Sequence, residues 1–423
     1  MIAPPGSSGS RSTGVIRPTS VSITEATVAI AKTCIGGGVL ALPYAHLQGG
    51  VLALPAMCLL GLWNWITSKQ LLKAYEALSD SELGTFTGYS AVVHAALGHS
   101  GVLLFDTMIC MLLTGVCSSI QVQVAHLVEP YVQLPFGDVY TMLVLLIGVC
   151  LVPLALMRNL SRLAVVSGVA LVVLAVGLLA VATSGVSHFG VPPLPQRLLT
   201  MPDLSGAASF FSIAAFSFGM QTNLLPVRGG MREPHRALEV VSFALVVVVC
   251  VNSGVGVGLA WLYAGGGRPV EEIILLNLPP HTLLSISVEL STAVVSVLGY
   301  PLLMLPVMQL LPARLPSTIH GSGLRLGFLA CTTVLALLLR EFALVLSLCG
   351  CLTIFVCLVL PPLCHLRLCS WPREDRPPST VNGTGGGAKR QPVVAALDAT
   401  IFVVGACAFA YFTAVAIEKA LVR

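Results

Sequence analysis

Residues 26–50, ATVAIAKTCIGGGVLALPYAHLQGG, decide the fold of this chain. The segment is apolar enough to cross a membrane, but three consecutive glycines, Gly36, Gly37 and Gly38, lie in its middle, and Pro43 follows. Each glycine weakens a helix by about 1 kcal/mol relative to alanine. The segment therefore predicts a transmembrane helix that is interrupted near its midpoint.

A second segment, residues 206–234, has the same design: GAASFFSIAAFSFGMQTNLLPVRGGMREP carries Gly219 in its middle, and Pro226 follows. A break inside the bilayer frees backbone polar groups, which lipid cannot satisfy but a polar cavity can. Two interrupted helices at matching places in two halves of a chain are typical of inverted-repeat transporters. Glycine-mediated tight helix packing is the alternative explanation.

The composition supports a membrane protein. Only 9% of the 423 residues are charged, against about 25% in an ordinary soluble domain, 56% are hydrophobic, and the mean hydropathy is +0.92. These values exclude a cytosolic enzyme, a nucleic-acid binder and a disordered scaffold. We expect an all-α polytopic membrane protein of about eleven transmembrane helices, because eleven apolar runs are long enough to span a bilayer: 24–47, 50–74, 101–129, 137–157, 162–184, 204–228, 237–264, 282–311, 324–339, 341–363 and 393–417.

Basic residues predict the orientation. With the N-terminus in the cytoplasm, most of the 22 lysines and arginines fall in cytoplasmic segments, as the positive-inside rule requires. An odd number of spans then leaves the C-terminus external or lumenal. The expected organisation is a disordered cytoplasmic tail (1–22), a ten-helix core (23–366), a cytoplasmic linker (367–392), and an eleventh helix with an external C-terminus (393–423).

The sequence contains no catalytic or metal-binding motif of the kind that enzymes use. No His-Glu-x-x-His, Gly-x-Ser-x-Gly or Walker A pattern occurs. His94 and His99 are five residues apart, which is the wrong spacing for one helical face. We therefore expect a protein that is not an enzyme and that has no cofactor and no metal site.

Five motifs follow one another in an order that resembles the amino acid/auxin permease family, within the amino acid–polyamine–organocation transporters. They are AKTCIGGGVLALPYAHLQGG, GYSAVVHAALGHSG, FSFGMQTNLLPVRGGMREP, ILLNLP at 274–279 and GYPLLMLP at 299–306. The resemblance covers about residues 22–417. It implies a five-plus-five inverted-repeat (LeuT-like) core, with repeats at about 23–184 and 204–366, and cation-coupled amino-acid transport by alternating access.

Departures from the family pattern bear on the coupling ion. Some proton-coupled relatives have a histidine where this chain has Ala29. Sodium-coupled relatives often have a hydroxyl residue at the position of Gly299 and asparagine at the position of Lys32. These differences argue against sodium, so H+ is the expected coupling ion, although they do not establish it.

The candidate site follows from the two interruptions and from the polar residues inside spans. For substrate binding the candidates are Thr33, Ile35, Gly36, Gly37, Gly38, Met108, Phe216, Ser217, Phe218, Gly219 and Met220. For ion coupling they are Lys32, Asp106, Glu289 and Ser296. Each has a structural alternative: core packing for the phenylalanines, a snorkelling cation for Lys32, and an ion pair or solvation for the carboxylates.

The expected function is secondary-active transport of amino acids, with proton coupling favoured. The alternatives are a sodium-coupled amino-acid transporter, and an amino-acid sensor with little flux that signals through cytoplasmic partners. The expected partners are a small amino-acid substrate and the lipid bilayer, without nucleic acid. The plasma membrane, the vacuole and the lysosome all fit the sequence.

Overall fold

The computed structural model describes residues 21–78, 88–132, 138–157, 163–310, 321–370 and 392–422. Within these ranges the chain is almost entirely helical, and an isolated bridge between Val21 and Met231 is the only β-structure. Ten described helical stretches are long and apolar enough to cross a membrane. The all-α polytopic class expected from the composition is therefore confirmed.

The helices are numbered in chain order, and shorter helical turns join several of them. A single turn, Gln196–Leu199, lies between α6 and α7. The bounds are α1 (Ile23–Cys34), α2 (Leu42–Gly49), α3 (Ala53–Glu76), α4 (Tyr89–Val128), α5 (Val139–Leu156), α6 (Leu163–Phe189), α7 (Leu204–Phe216), α8 (Gln221–Gly230), α9 (Ala237–Gly265), α10 (Leu283–Leu310), α11 (Gly321–Leu338), α12 (Phe342–Ile354), α13 (Leu360–His365) and α14 (Pro392–Val422).

The first expected span, 24–47, is divided between α1 and α2. Ser22 and Glu25 form a reciprocal capping box that starts α1, and Pro43 lies in the first turn of α2, where its fixed φ suits a helix start. Neither helix is long enough to cross a bilayer alone. The continuous stretch Gly37–Glu76 joins the second half to the next span, so ten long stretches are found where eleven spans were expected.

The second expected interruption lies between α7 and α8. Asp203 caps α7 by accepting a hydrogen bond from the Gly206 N–H at 3.1 Å. The α-helix ends at Phe216 and resumes at Gln221. The residues between them form tight turns, which are closed by hydrogen bonds between residues three apart. In one of them the Ser217 N–H donates to the Ala214 carbonyl at 3.0 Å.

Two boundaries differ from those expected. Helix α4 begins at Tyr89, well before residue 101, and Gly98 breaks its helical geometry with a φ of 69°, which glycine adopts without strain. Helical structure also continues beyond α13 through Leu366–Ser370, into the segment expected to be a linker. The rest of that linker and residues 1–20 of the expected tail lie outside the described residues.

The two interrupted helices pack against each other. Helix α2 contacts α7 and α1 contacts α8, while α9 contacts both α1 and α2. Helix α12 packs closely on α7, and α10 packs on α4 and α6. Helix α14 lies at the periphery against α7, α12 and α13, and it is the least buried of the long stretches. This packing brings the first interruption to the centre of the helical bundle.

Candidate functional site

A cavity of about 260 Å³ adjoins the first interruption. Ile35, Gly36, Gly37 and Gly38 form one wall of the cavity, and Phe216 at the end of α7 contributes to another. The remaining walls come from α4, α6, α10 and α12. Both interrupted helices therefore border the same cavity, as expected for the candidate substrate site.

The first interruption leaves backbone polar groups beside the cavity. The Ile35 N–H donates to the Ala31 carbonyl at 2.9 Å and completes the last turn of α1. Gly36 is extended, with φ −136° and ψ −157°, and a 3₁₀ turn starts at Gly37. Helix geometry leaves the leading N–H groups of that turn and the last carbonyls of α1 without helical partners. The negative end of one helix and the positive end of the next thus lie within a few residues.

Helix α4 contributes polar side chains that the sequence reasoning missed. Gln123 lies opposite Gly37, because a Cβ placed on Gly37 would be 3.5 Å from the Gln123 Oε1. Ser119, one turn earlier, and Thr292 on α10 also line the cavity. The signal was present in the sequence, because several polar residues inside an apolar span usually mark a face that points into the protein.

The second interruption meets the first at Gly38. A Cβ on Gly38 would lie 2.8 Å from the Phe216 Cδ1 and 3.5 Å from the Ser217 Oγ. The Ser217 side chain is buried, and its hydroxyl has no hydrogen-bond partner among the described residues. Ser217 itself is not among the residues that line the cavity.

Other candidates on the second interruption belong to the core. Phe218 and Met220 are fully buried, and Phe218 packs near Gly61 on α3. A Cβ on Gly219 would meet Thr353 rather than open space. None of these three expected substrate ligands is among the residues that line the cavity. Phe218 therefore packs in the protein core, which was the alternative to a role in substrate binding.

Three further candidates do not line this cavity. Thr33 is exposed, and its hydroxyl donates to the Ile30 carbonyl at 2.7 Å. Met108 and Asp106 line a separate apolar cavity of about 790 Å³ between α4, α11, α12 and α14. Along α4, Met108 is about 22 Å from Gln123 at a rise of about 1.5 Å per residue, which is too far for both to contact one small substrate.

Two ion-coupling candidates border the cavity directly. Lys32 lies in the last turn of α1, where the helix dipole favours a cation, and Ser296 lies on α10. Glu289 is buried on α10, one turn before the cavity residue Thr292, and the Tyr131 hydroxyl donates to Ser285, one turn earlier on the same helix, at 3.3 Å. The structure thus brings three of the four ion-coupling candidates to the same region and leaves Asp106 outside it.

We expect Gln123→Leu to weaken substrate binding while the protein remains folded. Leucine has a similar volume but cannot form a hydrogen bond, so a polar substrate at Gly37 loses one partner. We expect KM to rise about tenfold, which corresponds to about 1.4 kcal/mol. Uptake kinetics in proteoliposomes measure this, with Gln196→Leu at an exposed position as the control. An unchanged KM would contradict the assignment of Gln123 to the site.

Comparison with known proteins gives a consistent family. A family model described as "Transmembrane amino acid transporter protein" matches residues 19–418. Vacuolar amino acid transporter 3 of Saccharomyces cerevisiae is 26% identical over 38% of this chain and 23% of its own length. Human Solute carrier family 38 member 10 is 24% identical over 68% of this chain and 26% of its own length.

A third relative is Putative sodium-coupled neutral amino acid transporter 10 of Xenopus laevis, which is 23% identical over 67% of this chain and 27% of its own length. This chain thus spans about a quarter of the length of these relatives. Two of the three relatives are named as transporters, in agreement with a protein that is not an enzyme. Because the family model covers nearly the whole chain, this protein belongs to the transmembrane amino acid transporter family and is an integral membrane protein.

Proposed function

We propose that this protein moves small neutral amino acids across a membrane by alternating access, as a secondary-active transporter driven by protons. The observation that carries this proposal is the cavity at the first interruption, where free backbone groups adjoin the Gln123 side chain. Membership of the family supports the substrate class.

The size and polarity of the cavity favour a small zwitterion. A volume of about 260 Å³ is slightly below the usual range of ligand pockets, about 300–1,000 Å³, which favours a small ligand. The freed N–H groups after Gly36 suit a carboxylate, and the last carbonyls of α1 suit an ammonium group. Phe216 and Phe342 offer apolar surface for a side chain.

A neutral side chain on the substrate fits the charges around the cavity. Among the described residues that line it, Lys32 is the only charged side chain, and none is a carboxylate. A cationic substrate side chain would meet the Lys32 ammonium without a compensating acid. An anionic side chain would compete with the substrate's own α-carboxylate for the same few hydrogen-bond donors. Neutral amino acids are therefore the class we infer.

Lys32 is also the basis for proton coupling. Its ammonium group lies at the carbonyl end of α1, the place where a half-helix favours a cation. A sodium ion would find no carboxylate among the described lining residues to offset the positive charge of Lys32, whereas a zwitterionic substrate brings its own carboxylate. Sodium coupling is the second candidate, because one relative is named as a sodium-coupled transporter. The inverted-repeat core and a cytoplasmic N-terminus are part of the proposal.

Uptake of a mixture of labelled amino acids into proteoliposomes tests the proposal. An inward proton gradient and an inward sodium gradient are imposed in turn on the same preparation. We expect the proton gradient to drive accumulation of neutral amino acids and the sodium gradient to have no effect. Accumulation driven by sodium alone would contradict the coupling ion but not the transport function.

Absent flux from a folded preparation would contradict transport and would favour a sensor. In that case, binding of labelled neutral amino acids to the purified protein separates a sensor from an inactive preparation. Amino-acid-dependent capture of a cytoplasmic partner would further support the sensor.

A further inference from the structure

A buried polar cluster joins the peripheral helix α14 to the core. The His365 Nδ1 is 2.7 Å from the Asp398 Oδ2, and the Gln70 Nε2 donates to the Asp398 Oδ1 at 2.9 Å. The exposed fractions of the His365 and Asp398 side chains are 6% and 2%. Three elements, α13, α14 and α3, thus meet at one carboxylate.

The charge of this pair depends on one proton. With a neutral imidazole, the buried pair itself carries one net negative charge, and burying a charge is costly in a low-dielectric interior. With one more proton, the pair has no net charge and keeps its hydrogen bond. We propose that Asp398 and His365 form a proton-binding site of the transport cycle. The proposal rests on the proton-driven transport put forward above and names the site that takes the proton.

One helical stretch connects this pair to the substrate cavity. Phe342 and Leu346 of α12 line the cavity, and the same stretch continues to His365 at the end of α13. A π-helical turn, Phe355–Val359, interrupts it, and Pro361 follows. Such turns and prolines allow a helix to bend at a defined point. A change at either end can therefore move the other.

The pair lies close to the end of the stretch that the basic residues assign to the cytoplasm. Cys369, one turn beyond His365, is exposed, and its thiol donates to the Lys73 carbonyl at 3.8 Å. A proton therefore has a route of about 6 Å along one helical turn. Other titratable or charged groups on α13 and on the elements that pack against it include Lys69, Lys73 and Glu76 of α3, Tyr89 and His94 of α4, and Cys357, Cys364 and Arg367.

The substitution Asp398→Asn tests the proposal with little change in shape. The asparagine amide can accept the bond from Gln70 and donate one to His365, but the carboxylate charge is gone. We expect proton-driven accumulation to fall about tenfold or more, while exchange of labelled for unlabelled substrate at equal pH continues. His365→Gln is expected to act in the same way. Glu418→Gln, which removes an exposed carboxylate from the same helix, is the control.

The ratio of protons to substrate distinguishes coupling from a structural role. A purely structural pair would reduce the amount of folded protein in Asp398→Asn and leave the ratio unchanged in the molecules that fold. We expect the ratio, measured with a pH-sensitive dye inside the liposomes, to fall toward zero. A folded variant that keeps the wild-type ratio would overturn the proposal.

A second measurement does not depend on transport. In protein carrying ¹⁵N-labelled histidine, the His365 resonance is assigned by its loss in His365→Gln. We expect this resonance to change with pH in the wild type, and its titration to be displaced in Asp398→Asn. A signal that does not titrate would overturn the proposal. If the signal titrates but the protein shows no flux, the proposed transport function is contradicted, whereas the proton-binding pair is not.

Discussion

Replacing Gly37 with leucine is expected to abolish amino-acid uptake without unfolding the protein. Gly37 is exposed to the cavity, and its backbone torsions are ones that other residues adopt. A leucine side chain fills much of a cavity of about 260 Å³ and blocks the approach to Gln123. We expect uptake to fall about 100-fold or more, which corresponds to about 2.7 kcal/mol of lost substrate binding.

A graded series makes this prediction specific to the cavity. Gly37→Ala adds a single methyl group at an ordinary contact distance from Gln123, so a smaller loss is expected. Gly254→Leu on α9 places the same side chain at an exposed position with no heavy atom within 4 Å of its Cβ. Uptake by this control is expected to match the wild type. If Gly37→Leu takes up amino acids at the wild-type rate, the first interruption is not part of the substrate site.

Replacing Gly350 with alanine is expected to destabilise the whole bundle. Gly350 lies on α12 where it crosses α7, and a Cβ there would be 1.8 Å from the Ser212 carbonyl oxygen. The obstacle is backbone, so a rotamer change cannot relieve the overlap and the two helices must move apart. Small residues permit such close helix packing in membranes. We expect the free energy of unfolding to fall by about 3 kcal/mol or more.

Thermal denaturation of the purified protein in detergent measures the effect. Gly254→Ala is the matched control, because it also adds one methyl group to a helix but meets no neighbour within 4 Å. Alanine is the better helix former, so this control is expected to be unchanged or stabilised by up to about 1 kcal/mol. Equal melting temperatures for the Gly350 variant and the wild type would show that α7 and α12 do not pack as closely as described.

Local sequence was sufficient for the helical class and for the two interruptions beside Gly36 and Gly219, but it did not predict the break at Gly98. Lipid offers no partner for backbone polar groups, so long apolar runs must be helical. Gly36, Gly37, Gly38 and Gly219 mark the interruptions because glycine and nearby proline weaken helices wherever they occur. The cavity residues Ile35 and Phe216 followed from their position beside those breaks.

Which cavity each helix face borders was decided by packing. Lipid and protein interior are both apolar, so hydropathy does not distinguish a lipid-facing residue from a buried one. Met108 and Gln123 lie on the same helix, yet only Gln123 borders the cavity at the first interruption, while Met108 lines a different one. Likewise, Asp398 meets Gln70 across 328 positions of sequence. Hydropathy and spacing act over a few turns, whereas such contacts exist only once the helices have assembled.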